Sequence, residues 1–314
     1  CRSVLGSLYD RLKGRVRILF GEEARTLIVD GGEFKGVELA SGRRILAGFG
    51  VIAPGRAGVE WLHGEFLRLK LVVENNAVDI GVRVEVPASV TDDITSISHE
   101  VKLLYTSRHF DDPVRTFCMN PRGEVVEEHL EDIVTVNGHS YRNNKTDRTN
   151  FALLVSTRFT EPFKDPIAYG KSIARLANLI GGGVLVQRLG DLLAGRRSTV
   201  ERIGRNLIAP SLTSATPGDL SFVLPYRYLT DILEMLEALD ALISGIWQPY
   251  TLLYGVEVKF YSVRPRLTRE LESEIANMFV VGDGAGISRG LVQASASGLI
   301  AADAIAAKLH SSNM

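Results

Sequence analysis

An apolar run that breaks into glycines and then becomes a helix leaves a chain few ways to fold. Met278-Phe279-Val280-Val281-Gly282-Asp283-Gly284-Ala285-Gly286 is such a segment, and the small-residue stretch from about Arg289 to Leu309 reads as the helix after it. A strand ending in glycines ahead of a helix sets backbone N–H groups and a positive helix end at the carboxyl edge of a sheet. Asp283 argues against a phosphate directly beside it, because like charges repel, and suits hydrogen bonds from sugar-like hydroxyls. Ala294, Ser295, Ala296, Ser297, Gly298, Ala301 and Ala302 are small enough for the helix to approach a sheet or ligand closely. The plain alternative is a tight strand–helix turn with an exposed aspartate.

The same residues overlap a second pattern. Gly286-Ile287-Ser288-Arg289-Gly290 has the G-x-S-x-G spacing of a nucleophile elbow, which needs its serine on the strand-to-helix turn itself. Here residues Gly282 to Ile287 intervene, and only Asp303 and His310 follow as triad partners. An esterase using Ser288 therefore ranks third among the readings.

The front of the chain has a related texture. Leu5, Leu8 and Leu12 repeat at helical spacing up to Gly14, and Val16 to Phe20 reads as a strand. Ala24 to Val29, Phe34 to Leu39 and Arg44 to Leu46, separated by Asp30-Gly31-Gly32 and Ser41-Gly42, have the pattern of an antiparallel meander. Phe49 to Ala53 is an apolar strand ending in Pro54-Gly55.

Further on, strand-like runs dominate: Val82 to Val86, Val101 to Tyr105, Val114 to Met119, Val125 to His129, Ile133 to Val136 and Ala152 to Phe159. Helical blocks follow at Ile167 to Leu179 and Gly183 to Ala194, then a long loop over Arg196 to Gly218. Leu229, Ile232, Leu233, Leu236, Leu239 and Leu242 mark an amphipathic helix, and Leu252 to Tyr261 is strand-like. The expected division is a discontinuous domain, 1–58 with 251–314, and an inserted domain, 59–250; the 314 residues are the length of about two domains.

Composition removes several classes. With 36 basic and 37 acidic residues the net charge is -1, which excludes a nucleic-acid footprint over the whole surface. The two cysteines, Cys1 and Cys118, supply neither a disulfide framework nor a four-ligand zinc site. No apolar run reaches the ~20 residues of a membrane span, and no signal peptide follows Cys1. The reading is a soluble, cytoplasmic protein without nucleic-acid or membrane partners. His63, His99, His109, His129, His139 and His310 lack metal-ligand spacing, so no metal is expected. Arg196, Arg197, Arg202 and Arg205 make either a solvated loop or a hold for an anionic group. Glu127-Glu128 with Glu131-Asp132 reads as a solvated turn, and Cys118 as a buried inert thiol.

Gly282-Asp283 after its strand resembles the second FAD-contacting motif of two-part flavoproteins, and Val51-Ile52-Ala53-Pro54-Gly55-Arg56 stands where their shorter strand-end glycine motif falls. Nearly the whole chain resembles the uncharacterised FAD-dependent family described as NAD(FAD)-utilising dehydrogenases. Ile80-Gly81-Val82-Arg83-Val84-Glu85, Phe117-Cys118-Met119, Thr135-Val136-Asn137-Gly138-His139-Ser140-Tyr141 and Gly255-Val256-Glu257 carry that narrower likeness. Family members have a second cysteine where this chain has Asn120, so a dithiol role for Cys118 is not expected. The resemblance also implies a G-x-G-x-x-G strand–turn–helix ahead of residue 1, and hence that the chain is a fragment.

Position by position, the resemblance implies that Asp283 binds the ribityl chain of FAD, with Gly282, Gly284 and Gly286 allowing close backbone approach. Ser288, Arg289, Gly290 and Leu291 would lie beside the flavin ring, Ala24 and Arg25 near the adenine, and Gly55 near the diphosphate. The implied fold is α/β with an α+β insertion: an incomplete FAD-binding Rossmann-like domain and a β-rich inserted substrate domain. The implied function is a flavin-dependent oxidoreductase passing hydride through FAD to or from a small-molecule substrate, with NAD(P) admitted as a further cofactor. The alternative is a non-catalytic binding or scaffold protein that keeps a flavoprotein fold. Arg289 and Tyr141 are candidates for substrate contact, and no residue is read as a catalytic acid or base.

Overall fold

Leu5, Leu8 and Leu12 do lie on a helix, α1 (Arg2–Leu12), after which the chain turns at Gly14. The computed structural model describes residues 2–74, 77–130, 132–159, 162, 165–259, 264–288 and 290–312, without the side chains of Arg2, Ser3, Arg56 and Ser312. Its chain forms two units, Cys1–Glu74 with Ser262–Met314 and Asn75–Tyr261.

The expected strand at Val16 to Phe20 does not form. Val16, Ile18 and Phe20 are exposed, and the segment's pairing among the described residues is a single bridge from Lys13 to Val16. β-branched and aromatic residues favour a strand only where a pleated, half-buried surface awaits them, and this segment meets none.

The meander forms as expected, with β1 (Ala24–Asp30), β2 (Glu33–Leu39) and β3 (Arg44–Leu46) antiparallel in that order. Next come β4 (Gly50–Ile52), α2 (Val59–Arg68) and β5 (Val73–Glu74). Leu62 and Phe66 of α2 are buried against Leu27, Phe34, Met278 and Val280. Glu65, also buried, accepts the Leu27 backbone N–H at 2.6 Å and so fastens the helix to β1.

The second unit opens with β6 (Val78–Pro87), α3 (Ala88–Thr95), β7 (Leu104–Thr106) and β8 (Pro113–Asn120). It continues through the hairpin β9 (Glu124–Leu130) and β10 (Ile133–His139), then β11 (Arg148–Thr157) and α4 (Pro166–Gly181). β12 (Leu185–Arg188), α5 (Leu189–Leu193), α6 (Val200–Gly204), β13 (Thr216–Pro217), α7 (Tyr226–Asp240) and β14 (Leu252–Lys259) complete it. Seven strands form one sheet in the order β13-β12-β14-β6-β11-β8-β7. Ile80, Val82 and Val84 of β6 share a core with Ala174 and Ala177 of α4 and with Ile232 and Leu236 of α7. Asp165 accepts the Ala168 N–H at 2.8 Å, and Pro166 follows it, a start signal for α4 written in sequence.

Three expectations change here. Gly183 to Ala194 is a strand and a short helix rather than one helical block, because β12 finds β14 and β13 as partners. β14 belongs to the sheet of the second unit, between β12 and β6, so residues 252–259 leave the discontinuous domain. Conversely, α2 belongs to the first unit, because its apolar face packs on the meander side of that unit's core.

The chain ends in the first unit with β15 (Arg264–Pro265), β16 (Met278–Val280) and α8 (Leu291–Ser312). β16 runs parallel to β4, pairing Met278 with Gly50 and Val280 with Ile52. The architecture is mixed α/β, with eight α-helices among the described residues.

Candidate functional site

Because β4 and β16 are parallel, their carboxyl ends lie side by side and both run straight into glycine turns. The turns touch backbone to backbone: a Cβ on Gly284 would sit 2.1 Å from the Gly55 carbonyl oxygen. Gly55 at φ +65°, Gly282 at +80° and Gly286 at +67° adopt the left-handed conformation that favours glycine. Asp283 is half-buried in this turn, and its carboxylate accepts a hydrogen bond from the Ser288 hydroxyl. The Gly282 N–H donates to Ser297 Oγ at 3.1 Å, tying the turn to α8. The serine of the elbow pattern is thus 5% exposed, eight residues beyond the end of its strand, and directed at Asp283. That placement does not match an elbow.

A cavity of about 670 Å³ opens in the same unit, lined by Ala24, Phe34, Val37, Ala53, Pro54 and Trp61 among others. It joins the start of the meander to the carboxyl end of β4. Trp61 Nε1 donates to the Arg25 carbonyl at 2.9 Å, while the Arg25 side chain is exposed. The structure therefore brings together Gly55, Gly282, Asp283, Gly284, Gly286 and Ser288 at the turns and sets Ala24 on the cavity. Gly290 and Leu291 stand ahead of and at the start of α8, with Leu291 exposed, and Arg289 lies outside the described residues.

A second cluster assembles in the other unit, and sequence reasoning did not assemble it. Arg83, wholly buried in β6, donates from Nε and Nη2 to the two oxygens of Glu257 on β14, each at 2.8 Å. Its Nη1 donates to the Cys118 carbonyl at 3.0 Å and to Asn150 Oδ1 at 2.8 Å. Lys259 Nζ bridges Glu128 at 2.9 Å and Glu257 at 3.3 Å, and Asn137 Nδ2 donates to Glu128 at 3.1 Å. The four short sequence pieces that carried the narrower resemblance thus meet around one guanidinium. Gly138 is needed there, since a Cβ would fall 2.1 Å from Asn150 Oδ1 and 2.3 Å from Arg83 Nη1. A signal did exist in the sequence, because Arg83, Glu85, Glu257 and Lys259 interrupt strands that otherwise read as core.

Two expectations are revised by this cluster. Glu127 and Glu128 lie in β9 and are half-buried, not in a solvated turn, because Lys259 and Asn137 reach Glu128; Glu131 lies outside the described residues. Cys118 is half-buried, and burial pushes its thiol up against the opposing pull of Arg83, so it stays protonated at neutral pH. Asn120 Nδ2 donates to the Cys118 carbonyl at 2.8 Å. Tyr141 is exposed and packs edge-on against His139, with ring centres 4.5 Å apart. Among the described residues no group of three or more acidic, His or Cys side chains could hold a metal, and no helix is long and apolar enough to cross a membrane.

A mixed α/β chain whose first unit pairs two glycine-ended parallel strands, and whose second carries a seven-stranded sheet, is the class that fold and site define. The chain belongs to the family described as FAD-dependent protein, C-terminal domain-like, whose model matches residues 77–260, very nearly the whole second unit. A second family model, glucose inhibited division protein A, matches residues 212–313 and so includes the Asp283 turn. An uncharacterized protein of Clostridium beijerinckii (strain ATCC 51743 / NCIMB 8052) is 27% identical over 319 residues, covering 95% of this chain and 58% of that protein. The chain therefore spans little more than half the length of that relative. Among solved structures, a salicylate hydroxylase substrate complex shares 12% identity at a TM-score of 0.35, covering 91% of this chain and 50% of its own, a likeness too low to carry a structural argument.

Proposed function

We propose that the complete protein is a flavin-dependent oxidoreductase of the dehydrogenase kind, holding FAD at the paired ends of β4 and β16. In this reading those strands are part of a Rossmann-like parallel sheet, and the second unit selects a small-molecule substrate in the cytoplasm. Bound flavin supplies the two-electron chemistry, passing hydride to or from that substrate, and NAD(P) enters only as an electron partner.

One observation carries the reading: Gly284 and Gly55 pack with no room for a Cβ, which keeps the Asp283 carboxylate at a sheet edge with Ser288 donating to it. The donor set fits the cofactor. A carboxylate accepts from the hydroxyls of a polyol, and glycine backbones admit it closely. Gly55 would serve the diphosphate side, and Ala24 and Arg25 the adenine side, next to an apolar cavity wide enough for a ring. Ser288, Gly290 and Leu291 precede or open the 22-residue helix α8, whose positive end would favour negative charge on the reduced ring.

The test is the flavin content of the complete gene product. The wild-type protein should be yellow, and Asp283→Ala should bind FAD about 10- to 100-fold more weakly, the worth of charge-assisted hydrogen bonds. A colourless wild-type protein that ignores added FAD would overturn the proposal.

A further inference from the structure

The arginine-rich segment after β12 leaves Arg196, Arg197 and Arg205 exposed, as a solvated loop would, yet it is organised around one buried carboxylate. Its hub is Asp191 of α5, 1% exposed, whose Oδ2 accepts the Ser198 hydroxyl at 2.8 Å and whose Oδ1 accepts Arg196 Nε at 3.0 Å. Arg188 Nη1 and Arg202 Nε approach the same carboxylate, each at 3.8 Å. Three guanidinium groups thus share one buried negative charge, and two positive charges are left over.

The neighbouring charges do not cancel them. Arg197 and Arg205 act on Glu201, the next acidic residue, so five arginines face two carboxylates. Asp219 lies one side chain further off, beyond Gln187, and its Oδ1 is taken by the backbone and hydroxyl of Ser221 at 2.9 and 2.7 Å.

The segment is pinned rather than loose. Arg188 Nε donates to Asn206 Oδ1 at 3.0 Å, and Asn206 in turn donates to the Ile208 and Tyr250 carbonyls. Arg202 Nη1 donates to the Arg197 carbonyl at 2.7 Å, and Gln187 Nε2 donates to the Arg196 carbonyl at 2.9 Å. Holding like charges together costs free energy in any medium less polar than water. Because the side chains of Arg188, Arg196 and Arg202 are 22%, 55% and 31% exposed, an external anion can reach them. Among the described residues the Nη groups of Arg196 donate to no protein atom.

We propose that Arg188, Arg196 and Arg202 form a binding site for a phosphoryl dianion carried by a small molecule. A dianion matches the two charges left over around Asp191, and the guanidinium fork suits phosphate oxygens better than a point charge would. The proposal lies wholly in the second unit and does not rest on the flavin reading.

The test titrates the full-length protein with inorganic phosphate and separately with ethyl phosphate, against chloride at equal ionic strength, reading heat of binding and melting temperature. Saturable binding of both phosphates, absent with chloride, is expected. Arg196→Gln, at the most exposed position, should weaken it about tenfold, and Arg196→Gln with Arg202→Gln should abolish it. Wild-type protein that responds to phosphate no more than to chloride overturns the site without any variant being needed. An undiminished response in the double variant also overturns it. A short RNA oligomer that binds more tightly than either phosphate, with a steep salt dependence, overturns the small-molecule assignment. FAD content plays no part in these readouts, so the two proposals fail separately.

Discussion

Asp231 is the residue whose surroundings conflict most with its charge. It lies fully buried on α7, where the Ser107 hydroxyl and the Asp112 carboxylate are its polar neighbours. Burial, reinforced by the neighbouring Asp112 carboxylate, pushes its pKa up to about 6 from an ordinary 3.8. Asp112 moves the other way, because Arg227 donates to it. Between 3.8 and about 6 the folded state keeps a proton on Asp231 that the unfolded chain has lost, so this residue's contribution to stability falls as pH rises from about 4 to about 6 and levels off above. Asp231→Asn should remove that slope and leave the variant about 1 kcal/mol more stable than wild type at pH 8, measured by urea unfolding across pH. Nothing in the spacing of α7 announces this. Asp231 sits between Thr230 and Ile232 in an amphipathic pattern that gives no hint which polar position will be covered.

Among the elements, β4 and β16 are the shortest pieces with the largest consequence. Each is three residues long, yet their parallel register aligns two turns whose touching glycines, Gly55 and Gly284, are 229 positions apart. Gly284→Ala would drive a Cβ to 2.1 Å from the Gly55 oxygen, and the atom in its way is backbone. The expected cost is about 1–3 kcal/mol in the first unit, with loss of bound flavin in the complete protein, read by thermal unfolding and by absorbance. Both turns were legible beforehand, because a strand that stops at glycine is a local pattern. Their contact was not, since no local pattern says which two strand ends will meet. Val16 to Phe20 shows the converse: a run with good strand residues joins no sheet, because pairing is supplied by neighbours rather than by propensity.

At the scale of the molecule, each unit has apolar clusters of its own. Heating the protein should therefore give two calorimetric transitions rather than one. Glu257→Gln, which strips the buried Arg83 guanidinium of its carboxylate, should lower the second unit's stability by about 3–5 kcal/mol and leave the other transition in place. A scan in which both transitions shift together would contradict this picture. Hydrophobic periodicity and turn residues were enough to read the meander, α4, α7, α8 and the glycine turns, because those features depend on neighbours within a few positions. The membership of α2 and β14, the meeting of Arg83 with Glu257 across 174 positions, and the gathering of three arginines on Asp191 came only with the tertiary fold. Burial and charge pairing are settled by which distant surfaces come to exclude water together, and a linear string carries no record of that.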